Sequence, residues 1–73
     1  MNIEKIKNKL ELNKGKKIKF RFNGSRNQIE KFRGIIENTY SYIFTVKLVD
    51  NKNQIRSFSY SDILIDSLEI FIN

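Results

Sequence analysis

Residues 16–30 read KKIKFRFNGSRNQIE, an alternating run that ends in a tight-turn signal. Ile18, Phe20 and Phe22 alternate with Lys17, Lys19 and Arg21. A period of two places an apolar face and a basic face on one β-strand. Asn23-Gly24 follows at once, the strongest short-range signal for a hairpin. Two registers suit what comes next. A two-residue type I′ loop sets Ile18 opposite Ile29, whereas a four-residue loop over 23–26 sets Phe20 opposite Ile29. Both bury Ile29, because directly opposed residues share a face. Lys19, Arg21 and Arg26 crowd the same corner with positive charge, so the turn is either a surface that grips an anion or a plain corner of a small β-fold.

Upstream, residues 2–12 have the period of a helix. Ile3, Ile6 and Leu10 form one apolar stripe, with Lys5, Lys7, Asn8, Lys9 and Glu11 on the remaining face. Asn2 is placed to cap the start, and Gly15 to close the end in a left-handed conformation. Eleven residues do not hold a helix alone in water, so the stripe must dock on the open end or edge of a sheet.

Downstream, residues 28–40 form a long second strand whose phase slips. Ile29 lies on one parity, Phe32 and Ile36 on the other. An extra residue near Lys31, a β-bulge, would restore the phase, and Gly34 suits a bent strand that has no room for a Cβ. A turn over 38–41 leads to a third strand over 42–50, with Tyr42, Phe44, Val46 and Leu48 on one side. The polar run 50–53 is turn-forming. A fourth strand over 54–62 carries Phe58 and Tyr60 on one face. Ser59 or Ser61 then caps a single 3₁₀ turn through 62–64, with Asp62 bonding backbone N–H groups. The fifth strand alternates Leu68, Ile70 and Ile72 against Glu69 and Phe71.

The sum is a mainly β chain in a single domain, 1–73. It has an N-terminal helix over 2–12, then a five-stranded SH3-like (Sm-like) small barrel over 16–73 with a short 3₁₀ turn between strands four and five. Closing the sheet removes exposed edges. That matters for 73 residues without cysteine, since so short a chain buries only ~60% of its unfolded surface.

Histidine is absent as well as cysteine. The common zinc, haem and iron–sulfur ligand sets are therefore excluded, and no base stands ready to activate a serine. Gly15, Gly24 and Gly34 are too far apart for a phosphate-binding loop. The chain is expected to be non-enzymatic and without a cofactor. Residues 1–14 are charged throughout and lack a signal peptide's apolar core, and no run is long enough to span a membrane. The expected location is the cytoplasm.

The net charge of +6 is lopsided. Residues 1–33 hold eight Lys and three Arg against Glu4, Glu11 and Glu30, a net +8, while residues 34–73 carry a net −2. An acidic partner would suit this asymmetry; so would an AT-rich genome, which favours Lys, Ile and Asn everywhere. Nucleic-acid binding draws on the stripe Lys17, Lys19 and Arg21, with Arg26, Lys31 and Arg33 beyond it. Readers of single strands also need exposed aromatic rings. Phe20, Phe22, Phe44, Phe58 and Tyr60 fall on core parities. Tyr40, Phe71 and Phe32 remain, and none lies within the basic stripe by sequence.

Residues 23–48, NGSRNQIEKFRGIIENTYSYIFTVKL, resemble the middle of the Veg family, small proteins of low-GC Gram-positive bacteria. Asn23, Gly24, Arg26, Gly34, Ile35, Thr39, Tyr40 and Phe44 match its pattern without a gap. In the tail, SFSYSDILIDSLEIFI, the matches are Ser57, Ser59, Tyr60, Asp62, Ile63, Leu64 and Glu69. Two departures stand out: the family's G-R-R-K loop is Ser25-Arg26-Asn27-Gln28 here, and its T-Y-P turn is Thr39-Tyr40-Ser41. The resemblance implies a cytoplasmic, non-enzymatic protein with an SH3-like barrel. It further implies stimulation of biofilm formation through a protein partner, a repressor of matrix genes. On this reading Lys17, Lys19, Arg21 and Arg26 form an electrostatic rim, and Tyr40 is an exposed aromatic anchor. Nucleic-acid binding through the same stripe is the alternative. Self-association into a dimer or ring through an edge strand is a third reading.

Overall fold

The computed structural model describes residues 2–24, 28–50 and 54–72. Helix α1 (Ile3–Leu12) opens the chain, capped by Asn2, whose Oδ1 accepts from the Lys5 N–H at 2.8 Å. Gly15 has φ +82°, the left-handed conformation that turns the chain out of the helix. Its N–H donates to the Ile36 carbonyl and ties the helix end to the sheet. Ile6 and Leu10 are buried, so the apolar stripe docks as its length requires.

Five strands follow: β1 (Lys17–Asn23), β2 (Ile29–Thr39), β3 (Ile43–Leu48), β4 (Ile55–Ser59) and β5 (Leu68–Phe71). They form one antiparallel sheet in the order β4-β3-β2-β1-β5. The core joins Ile18 and Phe20 of β1, Ile36 of β2, Phe44 and Val46 of β3, Phe58 of β4 and Leu68 of β5 to Ile6, Leu10 and Tyr60. The sheet curls strongly. In a flat sheet β1 and β4 lie three strand spacings apart, about 14 Å, yet the Phe22 and Phe58 rings sit 5.5 Å apart.

The first hairpin takes neither expected register. Asn23 faces Ile29, and the Gly24 N–H donates to the Gln28 carbonyl at 2.8 Å. Phe20 therefore lies opposite Phe32, and their rings stack with centroids 5.2 Å apart. Ile29 falls on the outward parity and is 51% exposed. The physical reason is area: this register buries a phenyl ring against Phe20 where the others bury an isoleucine. With Ile29 outside the core there is no phase slip to repair, and pairing runs unbroken from Lys17/Ile35 to Asn23/Ile29. The bulge lies later, at Glu37, between the pairs Ile36/Val46 and Asn38/Thr45. It turns Thr39 toward α1, where its hydroxyl donates to Glu11 Oε1 at 2.9 Å.

The turn between β4 and β5 is α-helical rather than 3₁₀: α2 (Tyr60–Leu64). A capping box holds it, with Ser59 Oγ accepting from the Asp62 N–H and Asp62 Oδ2 accepting from the Ser59 N–H. That reciprocal pair lets so short a segment close α-type bonds. Tyr42 lies outside β3 and is exposed. No helix among the described residues is long and apolar enough to cross a membrane.

Candidate functional site

Alternation along β1 sends Ile18 and Phe20 inward and Lys17, Lys19 and Arg21 outward. Pairing then decides what stands beside these cations. On β2, Arg33 is opposite Lys19 and Lys31 is opposite Arg21. On β5, Phe71 is opposite Lys19 and Glu69 is opposite Arg21. Ile35 separates Lys17 from Lys47 of β3. Among the described residues six cations thus share one sheet face: Lys17, Lys19, Arg21, Lys31, Arg33 and Lys47.

Neutralisation on this face is slight. Arg21 approaches Glu69 at 3.9 Å and Arg33 approaches Asp50 at 3.7 Å. Both pairs are substantially exposed, where such pairs contribute little. Lys17, Lys19, Lys31 and Lys47 make no ion pair among the described residues. The register also sets like charges directly opposite each other twice, Lys19 against Arg33 and Arg21 against Lys31. Such pairs destabilise a sheet.

Phe71 is 47% exposed and stands among these cations. Besides a mostly apolar groove against α1, it borders two clefts lined by cations. One, of about 160 Å³, is lined by Lys19, Arg21 and Lys31; the other, of about 340 Å³, by Lys16, Lys17 and Arg33. In the sequence Phe71 is outward but distant from the basic stripe. The β1–β5 pairing joins them, and no local pattern encodes that pairing.

Tyr40 is elsewhere. It sits in the β2–β3 turn, which closes through its N–H to the Ile43 carbonyl at 2.8 Å. The buried Tyr60 hydroxyl donates to the Tyr40 carbonyl at 2.5 Å, and the Tyr60 N–H donates to the Tyr42 carbonyl. Burial pushes the Tyr60 phenol above its ordinary pKa of 10.0, and the Glu11 charge adds to the rise. A rigid turn thus presents Tyr40, Tyr42 and Ile43, which are 51%, 78% and 40% exposed. The whole of β2 separates this turn from the β1–β2 loop. Arg26, in that loop, lies outside the described residues. Of the expected contact residues, Lys17, Lys19 and Arg21 therefore come together, and Tyr40 belongs to a second surface.

Arg56 is a cation of another kind. It shares the inward parity of Phe58, opposite Val46. Its guanidinium lies 5.0–5.6 Å from the ring centroids of Phe58, Phe32 and Phe22, and Glu30 holds it at 2.6 Å. It lids the aromatic end of the core. Its parity with Phe58 was a signal available in the sequence.

No curated protein matches the chain. The family model described as biofilm formation stimulator VEG matches residues 1–71 of the 73. With nearly its whole length matched, hairpin, bulged strand and capped turn included, the chain belongs to the Veg family.

Proposed function

We propose that this protein is a non-enzymatic regulator that stimulates biofilm formation by binding a protein partner in the cytoplasm. The partner is a transcriptional repressor of matrix genes, and binding relieves the repression. The curled five-stranded sheet serves as a small SH3-like (Sm-like) barrel, a rigid scaffold for contact surfaces rather than a container for chemistry. Support for the biofilm role comes from family membership over residues 1–71.

The observation that carries the protein-binding reading is the pinned tyrosine turn. Tyr40 and Tyr42 stand exposed on backbone anchored by the buried Tyr60. Tyrosines offer large contact area for little conformational entropy, and they are enriched where interfaces concentrate their energy. The test is genetic and transcriptional. Deleting the protein from its host should lower biofilm mass and matrix-gene transcripts. The wild-type chain should restore both, while a Tyr40→Ala, Tyr42→Ala double variant of normal abundance should not. Full complementation by that variant would refute the role given to the turn, and unchanged transcripts in the deletion would refute the transcriptional reading.

A further inference from the structure

We infer that the outward face of β5, β1 and β2 binds single-stranded nucleic acid, with Phe71 as a base-stacking platform and Lys17, Lys19, Lys31 and Arg33 as phosphate contacts. The inference goes beyond the protein-partner reading and concerns a different surface from the tyrosine turn.

Three observations converge on it. First, the cations are spread as a grid. Alternate residues on one strand recur about every 6.7 Å and neighbouring strands lie about 4.8 Å apart. Lys17, Lys19, Lys31 and Arg33 thus present a repeating field to an extended polyanion, not a single pocket for a small one. Second, the field is built against the sheet's own stability. The oppositions Lys19/Arg33 and Arg21/Lys31 repel, and Glu69 and Asp50 offset them only through long, solvent-exposed pairs. A bound phosphate chain would turn that repulsion into attraction. Third, a half-exposed phenyl ring lies inside the field. Phe71 is opposite Lys19, with a cationic cleft on each side.

This combination selects single strands. Cations alone would hold duplex equally well, but an aromatic face on a sheet is useful only to an unstacked base. Phe71 supplies a sequence-tolerant contact, and no built donor or acceptor set accompanies it for reading base edges. The predicted mode is therefore non-specific, salt-sensitive binding of a few nucleotides.

Fluorescence anisotropy on the full chain tests this, with labelled twelve-nucleotide oligo-dT and oligo-U and a twelve-base-pair duplex as probes. Both single strands should bind more tightly than the duplex, and the tighter of the two identifies DNA or RNA as the better source of the ligand. Single-strand binding contributes about −0.7 to the log–log salt slope per phosphate contact, so four contacts give a slope of about −3. Phe71→Leu keeps an apolar side chain and removes the π face. It should weaken binding roughly 5- to 100-fold at an unchanged slope, the stacking contribution of one base. Lys19→Gln should make the slope shallower by about 0.7. The same variant should raise the melting midpoint of the free protein, because it removes a repulsion; a purely structural role for Lys19 predicts the opposite sign.

Absence of saturable single-strand binding at low salt would overturn the proposal. So would equal affinity of wild type and Phe71→Leu, or a preference for duplex. If the oligonucleotides fail and polyglutamate binds with Phe71 dependence, the face belongs to an acidic protein segment and the proposal falls. None of these outcomes bears on the tyrosine-turn variants, so the two readings fail separately.

Discussion

Replacing Arg56 with alanine removes a side chain that touches three rings and one carboxylate. The guanidinium carbon lies 5.6, 5.2 and 5.0 Å from the Phe22, Phe32 and Phe58 centroids, and the Arg56 side chain is only 23% exposed. A cation over an aromatic face contributes about 0.5–1 kcal/mol at the surface and about 2 kcal/mol when desolvated. The bond to Glu30 is short at 2.6 Å, but the Glu30 side chain is 57% exposed, which dilutes its share. An exposed ion pair contributes about 0.2–1 kcal/mol. Truncation also uncovers the alkyl stem's contact with the rings. Together these give a loss of about 2 kcal/mol for Arg56→Ala. In a domain of this size each kcal/mol lowers the melting midpoint by about 4–8 °C, so the expected fall is about 8–16 °C. Urea unfolding followed by circular dichroism measures it directly, with an unchanged m-value as the sign that the unfolded state is the same. Two controls divide the loss. Glu30→Gln, which removes only the ion pair, should cost no more than about 1 kcal/mol. Arg56→Lys, which keeps the charge without the planar group, should fall between wild type and alanine. If Arg56→Ala stays within about 0.5 kcal/mol of wild type, the ordinary range for surface substitutions, Arg56 does not hold the aromatic end of the core. If Glu30→Gln costs as much as Arg56→Ala, the ion pair and not the ring stack does the holding.

Two further outcomes concern the core. A Cβ on Gly34 would run into Val46 Cγ1 and lie only 3.2 Å from the Lys47 carbonyl oxygen, so Gly34→Ala should destabilise by about 1–3 kcal/mol through overpacking; a neutral result in chemical denaturation would contradict the close approach of β2 and β3. Tyr60 has its phenol pKa raised in the folded state, so its contribution is full below the unfolded value of 10.0 and fades as pH climbs through the folded one. Melting curves above pH 10 should therefore show a loss of stability that is smaller in Tyr60→Phe, and that variant should lose about 1 kcal/mol at neutral pH with the bond to Tyr40; parallel pH profiles for the two proteins would refute the assignment.

Local elements and most of the core can be read from the residues without coordinates. The 3.6-residue period of Ile3, Ile6 and Leu10 marked a helix that had to dock. The two-residue period of Ile18, Phe20 and Phe22 marked a strand, and Ser59 or Ser61 ahead of Ile63 marked a capped turn, with the choice of Ser59 left to the structure. These signals are legible because each is fixed by backbone geometry within a few residues. What lies opposite what is set by the packing of the whole chain. Periodicity tells which residues of a strand share a face but not how far the next strand slides. Sliding β2 until Phe32 met Phe20 put Ile29 in water, moved the bulge to Glu37 and opposed Lys19 to Arg33. Docking β5 on β1 carried Phe71 into the basic face, and the curl of the sheet brought Arg56 over rings from three strands. Those pairings are settled by which arrangement of the whole chain buries the most ring surface, a quantity that no short window of sequence contains.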